Sequence, residues 1–387
     1  MKEYQMKRST SGLAILKAGL LCWMLGTLGI AGERHVKPDN FETTSAPKGR
    51  VAVIQVHGKS LENNPLGIQP QRDVYVYLPA SYDTTPDKRY PVIYCLHGNN
   101  SGRKWPLLIQ EAADNTMGQG KAKEMIIVTP IASTIKSSNS GSHYVNSVLT
   151  GKWEDFITKD LIEHIDANFR TIPHRNSRGV GGYSMGGRGS LSLAMKYPEL
   201  YSAVFGMSSG VMDFEGTKGE FTVNDDNEAW AQLLEWAYGS NGGQGRMPLG
   251  YSSRLLCFAR AYSPNLDRPP LFVDLPFELR EGKLARIDAV WKRWLFFDPV
   301  AIAKLSQKNL LRLKAIEFDC GNEDSCFHGN VELSRVLTEM KIPHHFHRFE
   351  GGHMDNRIER VESKLLPFFT KHLDFSLYPP VEVDADD

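Results

Sequence analysis

A serine set between closely spaced glycines is the feature of this chain best suited to chemistry. Residues 182–186 read Gly-Tyr-Ser-Met-Gly, a G-x-S-x-G pattern with Ser184 at its centre. Glycines beside such a serine let a strand turn sharply into a helix, because they carry no Cβ that would clash in the turn. The pattern therefore predicts a nucleophile elbow that exposes the Ser184 hydroxyl at the end of a buried strand.

The residues around Ser184 favour this interpretation over a plain glycine-rich turn with a solvent-facing serine. Residues 178–182 are small and apolar after Arg178, as expected of a buried parallel strand. After the elbow, apolar residues recur at helical spacing until Pro198, which ends the segment. The surroundings thus predict the strand, turn and helix that a nucleophile elbow requires.

A reactive serine needs a base, and the base needs an acid that holds it in the right tautomer. On an elbow of this kind they follow in the order serine, acid, histidine. Residues 313–320 predict a strand, and Asp324 in the turn after it is the preferred acid, with Asp319 and Glu323 as open alternatives. His353 is the predicted base, because it lies in a glycine-containing loop after the last predicted strand.

Acyl transfer also requires donors for the oxyanion that develops on the substrate. The backbone N–H after the nucleophile, that of Met185, is the first candidate. Residues 90–96 predict a buried strand that ends in a His-Gly-Asn-Asn loop, and the N–H of Asn99 is the second candidate. His97 in the same loop is interpreted as a hydrogen-bonded structural histidine.

The predicted elements alternate between strands and helices, which indicates an α/β fold with a mostly parallel central sheet and helices on both faces. Helical spacing of apolar residues predicts a crossover helix before the elbow, with its charged residues toward water. The carboxyl ends of parallel strands gather functional loops at one edge of a sheet. Further strands are predicted at residues 51–56, 73–79, 125–130 and 345–349.

An aromatic-rich stretch at about residues 211–299 interrupts the alternation. Its position after the strand next to the nucleophile predicts a cap insertion over the pocket. A second small core is the alternative, since some of the rings must pack together whatever the function. Residues 239–245 are rich in glycine and predict a mobile loop within the insertion.

Length and charge narrow the function classes. The 387 residues can bury one large α/β core with an insertion. Lysine plus arginine equals aspartate plus glutamate, at 45 each, so no global field favours nucleic acid or an anionic membrane. The chain shows no phosphate-binding loop, zinc-finger spacing or internal repeat. A nucleic-acid partner is therefore not expected.

The N-terminal residues predict export. Basic residues precede a short apolar run that ends in Gly-Ile-Ala, which is typical of a signal peptide at residues 1–31 cleaved after Ala31. The run is too short for a stable membrane span. Residues 32–48 are interpreted as a linker, residues 49–375 as the main domain, and residues 376–387 as a disordered acidic tail.

The motifs together resemble the putative esterase family, which includes esterase D, feruloyl, acetyl xylan and enterochelin esterases and the mycolyltransferases. The resemblance covers roughly residues 70–210 and 310–373, and the elbow is its most specific part. It implies an α/β-hydrolase fold without a metal or organic cofactor. It also implies a catalytic triad of Ser184, Asp324 and His353, with Met185 and Asn99 as oxyanion donors.

The sequence therefore predicts an exported, periplasmic or secreted serine carboxylic-ester hydrolase that works through an acyl-enzyme. Feruloyl or acetyl esters of polysaccharides are the leading substrates, and the expected partner is a small-molecule or polysaccharide-linked ester. An acyltransferase with the same triad is one alternative, and a non-catalytic carbohydrate- or ligand-binding protein on a hydrolase scaffold is another. Whether Cys320 and Cys326 form a disulfide, and the oligomeric state, stay open at this point.

Overall fold

The strands in the described part of the chain form one large sheet and two small hairpins. The computed structural model describes residues 47–134, 141–212, 214, 227–239 and 251–376. In chain order the strands are β1 Arg50–His57, β2 Gln71–Leu78, β3 Val92–Leu96, β4 Ile126–Pro130, β5 Asn146–Ser147, β6 Gly151–Lys152, β7 Arg178–Tyr183, β8 Ala203–Met207, β9 Phe277–Arg280, β10 Lys283–Arg286, β11 Ala315–Gly321 and β12 His345–Phe349.

Helices fill most connections between these strands. Two π-helical segments, Phe156–Asp160 and Val361–Leu365, join neighbouring α-helices, and Lys59–Leu61 and Arg175–Ser177 form short 3₁₀ turns. The α-helices are α1 Lys104–Met117, α2 Trp153–Asp155, α3 Leu161–Asn168, α4 Met185–Lys196, α5 Asn227–Tyr238, α6 Tyr251–Tyr262, α7 Asp288–Leu295, α8 Pro299–Leu305, α9 Gln307–Leu310, α10 Phe327–Glu339, α11 Arg357–Arg360 and α12 Leu366–His372.

The main sheet has eight strands in the order β1-β2-β4-β3-β7-β8-β11-β12. Strand β2 pairs antiparallel with both β1 and β4, and every other pair in this sheet is parallel. The predicted mostly parallel sheet is therefore confirmed. The loops after β3, β7, β8, β11 and β12 all leave the same edge, because those strands run in one direction.

Both faces of the sheet are covered by helices. Central strand β3 is fully buried, and its successive side chains point to opposite faces. Tyr94 and Leu96 belong to one hydrophobic cluster with Leu191 of α4, whereas Ile93 belongs to another with Ile109 of α1. The predicted covering of helices on both faces is confirmed, and it explains why these strands read as continuous apolar runs.

The aromatic insertion builds a second hydrophobic cluster from α5, α6, α7 and the β9–β10 hairpin. Trp230 and Trp294 are fully buried there, and the Trp294 indole N–H donates to Ser263 Oγ at 2.8 Å. Phe258 belongs to the same cluster and also lines the cavity beside Ser184. The rings of the insertion thus form a second core, which they share with residues such as Leu149 and Cys320, and the insertion also contributes to the wall of the pocket.

Several predicted segments lie outside the described residues. These are the leader at 1–31, nearly all of the linker at 32–48, most of the loop at 239–245, and the tail at 376–387 apart from its first residue. Among the described residues, no helix is long and apolar enough to cross a membrane. The predicted strands agree with the observed ones to within about two residues at most ends.

Candidate active site

Ser184 lies at the turn between β7 and α4 with an unusual backbone. Its φ is 57° and its ψ is −116°, a conformation that costs energy for a residue with a side chain. Hydrogen bonds hold the turn in this form: Ser184 N donates to Met207 O at 2.9 Å, and Ser184 O accepts from Gly210 N at 2.9 Å. The surrounding sheet therefore stabilises the strained turn that the G-x-S-x-G pattern predicts.

The glycines of the pattern are required by close approach to the neighbouring strand. A Cβ on Gly182 would lie 2.5 Å from Leu96 O, and one on Gly186 would lie 2.1 Å from the same oxygen. Real Cβ atoms do not occur at such distances from a backbone oxygen, so the turn would have to move. The two glycines let α4 begin directly against the end of β3.

A continuous chain of hydrogen bonds joins three predicted residues. His353 Nε2 lies 2.8 Å from Ser184 Oγ, and His353 Nδ1 lies 2.8 Å from Asp324 Oδ2. The Asp324 carboxylate is fully buried, while the His353 side chain is 30% exposed. The arrangement lets the imidazole accept the serine proton on one nitrogen while the other donates to the carboxylate.

The two alternative acids occupy different places. Asp319 accepts hydrogen bonds from Arg360 Nη2 at 2.6 Å and from Ser208 N at 2.9 Å, in a buried ion pair next to the site. Glu323 is exposed. Of the three acids left open by the sequence, only Asp324 is placed against the imidazole.

Asp324 is held as a carboxylate by its neighbours. Burial alone would raise the pKa of Asp324, but the hydrogen bond and charge of His353 and the N–H of Cys326 outweigh it and lower that pKa below its ordinary value. Cys326 N donates to Asp324 Oδ1 at 2.9 Å, so both carboxylate oxygens have partners. An ionised Asp324 favours the imidazole tautomer with its proton on Nδ1.

The loops that carry the acid and the histidine are bound to each other. Glu323 N donates to Gly351 O at 3.0 Å, and a Cβ on Gly321 would lie 2.1 Å from the same oxygen. Tyr183, the residue before the serine, donates its hydroxyl to His353 O at 2.9 Å. These contacts fix the imidazole relative to both the acid and the elbow.

The two predicted oxyanion donors border the same cavity as Ser184. Met185 is the first residue of α4, where backbone N–H groups have no partner within the helix, and Asn99 follows β3. Gly141 lies between them, since a Cβ there would fall 2.2 Å from Met185 Sδ and 3.0 Å from Asn99 Oδ1. The structure thus brings both residues to the serine, and their role as donors remains a prediction.

His97 holds the loop that carries Asn99. Its Nε2 accepts from Ala132 N at 2.9 Å, and its Nδ1 lies 2.8 Å from Gly98 O, to which it donates. Burial lowers the pKa of His97 to about 4, so the ring is neutral at physiological pH. This agrees with the interpretation of His97 as a structural histidine.

A cavity of about 560 Å³ opens above the serine, within the usual range for small-molecule sites. Its walls come from the loop after β3, the start of α4, helix α6 and the loops of the acid and the histidine. Met212 and Phe258 add apolar surface from the insertion. The cavity leaves space for an ester next to Ser184 and His353.

Two cysteines, Cys320 and Cys326, lie close to the acid Asp324 in the chain. Cys320 and Cys326 are free and buried, so the structure answers the open question with no disulfide. Among the described residues, Asp324, Cys326 and His353 are close enough to hold a cation. The hydrogen bond between Asp324 and His353 accounts for two of these donors without a metal.

Sequence reasoning missed several polar residues of the cavity. Arg188, His143 and Arg357 line it but carry no motif that would single them out. Arg188 could have been found from its spacing, because it lies one helical turn after Ser184. His143 and Arg357 come from distant loops and helices that only the fold brings here.

Comparison with known proteins decides the family. The model of a family described as putative esterase matches residues 67–357, which is most of the chain. The chain belongs to the putative esterase family. Two esterases of Mycobacterium tuberculosis are 28% identical to it over 284 residues, 73% of this chain and 52% of theirs. The chain thus spans about half the length of these relatives.

Further likenesses agree with membership of the putative esterase family. An endo-1,4-beta-xylanase/feruloyl esterase of Xylanibacter ruminicola is 30% identical over 141 residues, 35% of this chain and 19% of that protein. The solved structure of a ferulic acid esterase superposes with a TM-score of 0.57 at 21% identity, covering 84% of this chain and 99% of that one. The predicted α/β-hydrolase fold is confirmed.

Proposed function

We propose that this protein is a serine carboxylic-ester hydrolase that works through the triad Ser184, His353 and Asp324. The observation that carries the proposal is the hydrogen-bonded chain from Asp324 through His353 to Ser184, which ends at an open cavity. Membership of the putative esterase family supports the choice of esters as substrates.

The geometry supports a two-step reaction. His353 Nε2 takes the proton of Ser184 Oγ as that oxygen bonds to the ester carbonyl carbon, and the carbonyl oxygen becomes an oxyanion held by the N–H groups of Met185 and Asn99. His353 then gives the proton to the leaving alcohol as the ester C–O bond breaks. Water, deprotonated by the same nitrogen, releases the acid and restores Ser184.

Feruloyl or acetyl esters of polysaccharides are the substrates that we propose first. A feruloyl esterase stands among the relatives by its name, and a ferulic acid esterase shares the fold. We also propose export, because residues 1–31 have the pattern of a signal peptide. N-terminal sequencing of the secreted protein tests this, with Gly32 expected as the first residue.

Ser184→Ala tests the nucleophile directly. We expect loss of hydrolysis of 4-nitrophenyl acetate and of labelling by a fluorophosphonate probe, with an unchanged circular dichroism spectrum. Ser101→Ala is the matched control, because Ser101 also lines the cavity but lies outside the hydrogen-bonded chain. Labelling of the Ser184→Ala protein at full rate would remove this serine from the mechanism.

The same assays separate the alternatives. A non-catalytic binding protein does not react with the fluorophosphonate probe at Ser184. An acyltransferase forms the same acyl-enzyme but transfers the acyl group to an added sugar, which product analysis by mass spectrometry detects. Free acid as the main product in the presence of added carbohydrate supports the hydrolase.

A further inference from the structure

Arg188 is a buried cation one helical turn after the nucleophile. Its side chain lines the cavity although the residue is only 2% exposed. One terminal nitrogen donates to the Tyr262 hydroxyl, and the other donates to His143 O at 3.2 Å. The guanidinium carbon lies 5.1 Å from the centre of the Tyr262 ring. Both of these partners are neutral, and several N–H groups of Arg188 are left for another group, although the charge of Asp298 also acts on the guanidinium.

Other buried arginines of this protein are paired with acids. Arg178 lies 2.5 Å from Asp166, and Arg360 lies 2.6 Å from Asp319. Arg188, by contrast, forms no ion pair with an Asp or Glu in the described part of the chain. A buried charge is costly unless it is paired, so such a residue indicates an anionic partner that binds from outside. Burial lowers the pKa of Arg188 to about 10, which still leaves it charged at neutral pH.

His143 supplies a second polar atom beside Arg188. It is 4% exposed and lines the same cavity, and within the described residues its Nδ1 is buried without a hydrogen-bond partner. Its Nε2 lies 3.4 Å from Cys257 Sγ, whose single proton is donated to Gly141 O at 3.1 Å, so the sulfur accepts from Nε2 and Nδ1 is left as a buried acceptor. The ring packs on Phe258 with centres 4.6 Å apart, so its position is fixed.

The other charges that line the cavity have the same sign. Lys104, Arg254 and Arg357 contribute to its walls, while no Asp or Glu is among its lining residues in the described ranges. Lys104 and Arg357, together with the buried Arg188, raise the local positive potential. The electrostatic free energy of binding in this cavity is therefore favourable for a substrate with a negative charge and unfavourable for a cationic one.

We propose that Arg188, which lies beside His143, forms a subsite for an anionic group of the ester substrate, with a carboxylate as the group that fits the adjacent N–H donors of the guanidinium. The inference rests on the proposed ester hydrolysis at Ser184. A carboxylate can come from the acyl part, as in a dicarboxylic monoester, or from the alcohol part, as in an ester of a uronic acid. The shared chemistry is recognition by a guanidinium, which binds carboxylates through paired hydrogen bonds.

Two matched pairs of esters test the proposal and separate the two sources. The acyl pair is 4-nitrophenyl hydrogen glutarate and its neutral methyl ester. The alcohol pair is 4-acetoxybenzoate and its neutral methyl ester. We expect the wild-type protein to prefer the anionic member of one pair in kcat/KM by about 10- to 100-fold, as hydrogen bonds to a charged group allow. The preferred pair identifies the part of the substrate that carries the charge.

Arg188→Gln should bring that ratio close to one, mainly through a higher KM for the anionic ester. Arg188→Lys, which keeps the charge but not the paired donors, should retain an intermediate ratio. Lys308→Gln is the matched control, because it removes one exposed positive charge away from the cavity. Circular dichroism checks that each variant is folded. If Arg188→Gln does not fold, the comparison of wild type with Arg188→Lys tests the proposal instead.

Binding measurements keep the proposal testable if hydrolysis fails. Calorimetric titration of Ser184→Ala with each anionic ester, and of the same protein with Arg188→Gln added, measures the subsite without turnover. Weaker binding in the double variant supports the subsite. Equal ratios in wild type and Arg188→Gln, or equal binding in the two calorimetric proteins, would overturn it. Absence of hydrolysis and of fluorophosphonate labelling would instead count against the proposed function.

Discussion

Replacing Asp324 by Asn tests whether the buried carboxylate orients the histidine. The amide oxygen of an Asn can still accept from Cys326 N, which now donates to Asp324 Oδ1 at 2.9 Å. The amide nitrogen would then face His353 Nδ1, which lies 2.8 Å from Asp324 Oδ2. Since that nitrogen is a donor, Nδ1 must become an acceptor and the ring proton moves to Nε2.

The wrong tautomer should remove most of the activity and little of the stability. A protonated Nε2, 2.8 Å from Ser184 Oγ, cannot take the serine proton. Loss of the orienting acid in triads of this kind costs about 10⁴-fold in kcat, which corresponds to about 5 kcal/mol of activation free energy. Because Asn has nearly the shape of Asp, we expect the packing around the acid loop to persist.

Asp319 and Glu323 provide matched controls, because both are acids on the same strand and loop. Asp319→Asn breaks the buried pair with Arg360 and should lower the free energy of unfolding by about 3–5 kcal/mol. Activity of its folded fraction should remain. Glu323→Gln alters an exposed side chain and should change neither quantity much.

The assay measures kcat for 4-nitrophenyl acetate at 25 °C together with urea unfolding followed by tryptophan fluorescence. Activity loss without stability loss in Asp324→Asn, and the reverse in Asp319→Asn, supports the assignment. A kcat for Asp324→Asn within tenfold of wild type would refute the reasoning. So would a thousandfold loss in fully folded Asp319→Asn.

Two further predictions concern the elbow and the loop beside it. Gly186→Ala should lower both kcat and Tm, because its Cβ would fall 2.1 Å from Leu96 O; wild-type values in activity and calorimetric assays would contradict the close approach. The His97 pKa of about 4 lies below the ordinary 6.5, so the folded state takes up that proton less readily than the unfolded chain. Neutral His97 therefore contributes to the free energy of unfolding above pH 6.5. This contribution is lost as the pH falls toward 4, by about 2 kcal/mol between pH 7 and pH 5. Urea unfolding at both pH values should show a smaller loss in His97→Gln, and an equal loss would disprove this.

The elements around the site could largely be predicted from local pattern. The run at residues 179–183 predicts a buried strand, because a parallel sheet covered on both faces favours small or apolar side chains. The elbow could be predicted from Gly182 and Gly186, because a Cβ at either position would clash with Leu96 O. Strand β12 was predicted with its observed ends, since its residues are bounded by a proline and by glycines.

The aromatic insertion shows where local pattern was insufficient. From the sequence, its rings could form a cap over the pocket or a second core. In the structure, some of them pack in a core and some also line the cavity. Trp294 is enclosed in a second core, whereas Phe258 lies in that core and also borders the cavity. Sequence alone could not divide the rings between these places, because burial depends on contacts between segments far apart in the chain.

The amino-acid sequence by itself determined the elbow, the order of serine, acid and histidine, and the alternation of strands and helices, because these depend on spacing and on backbone conformation over a few residues. Only the tertiary structure decided which acid faces the imidazole, since Asp319 on strand β11 and Glu323 and Asp324 in the turn after it are close in the chain, and spacing does not show which side chain turns toward the histidine. It also placed Arg188 and His143 at one cavity. Such convergence depends on how the sheet brings the ends of distant strands together, which local spacing does not encode.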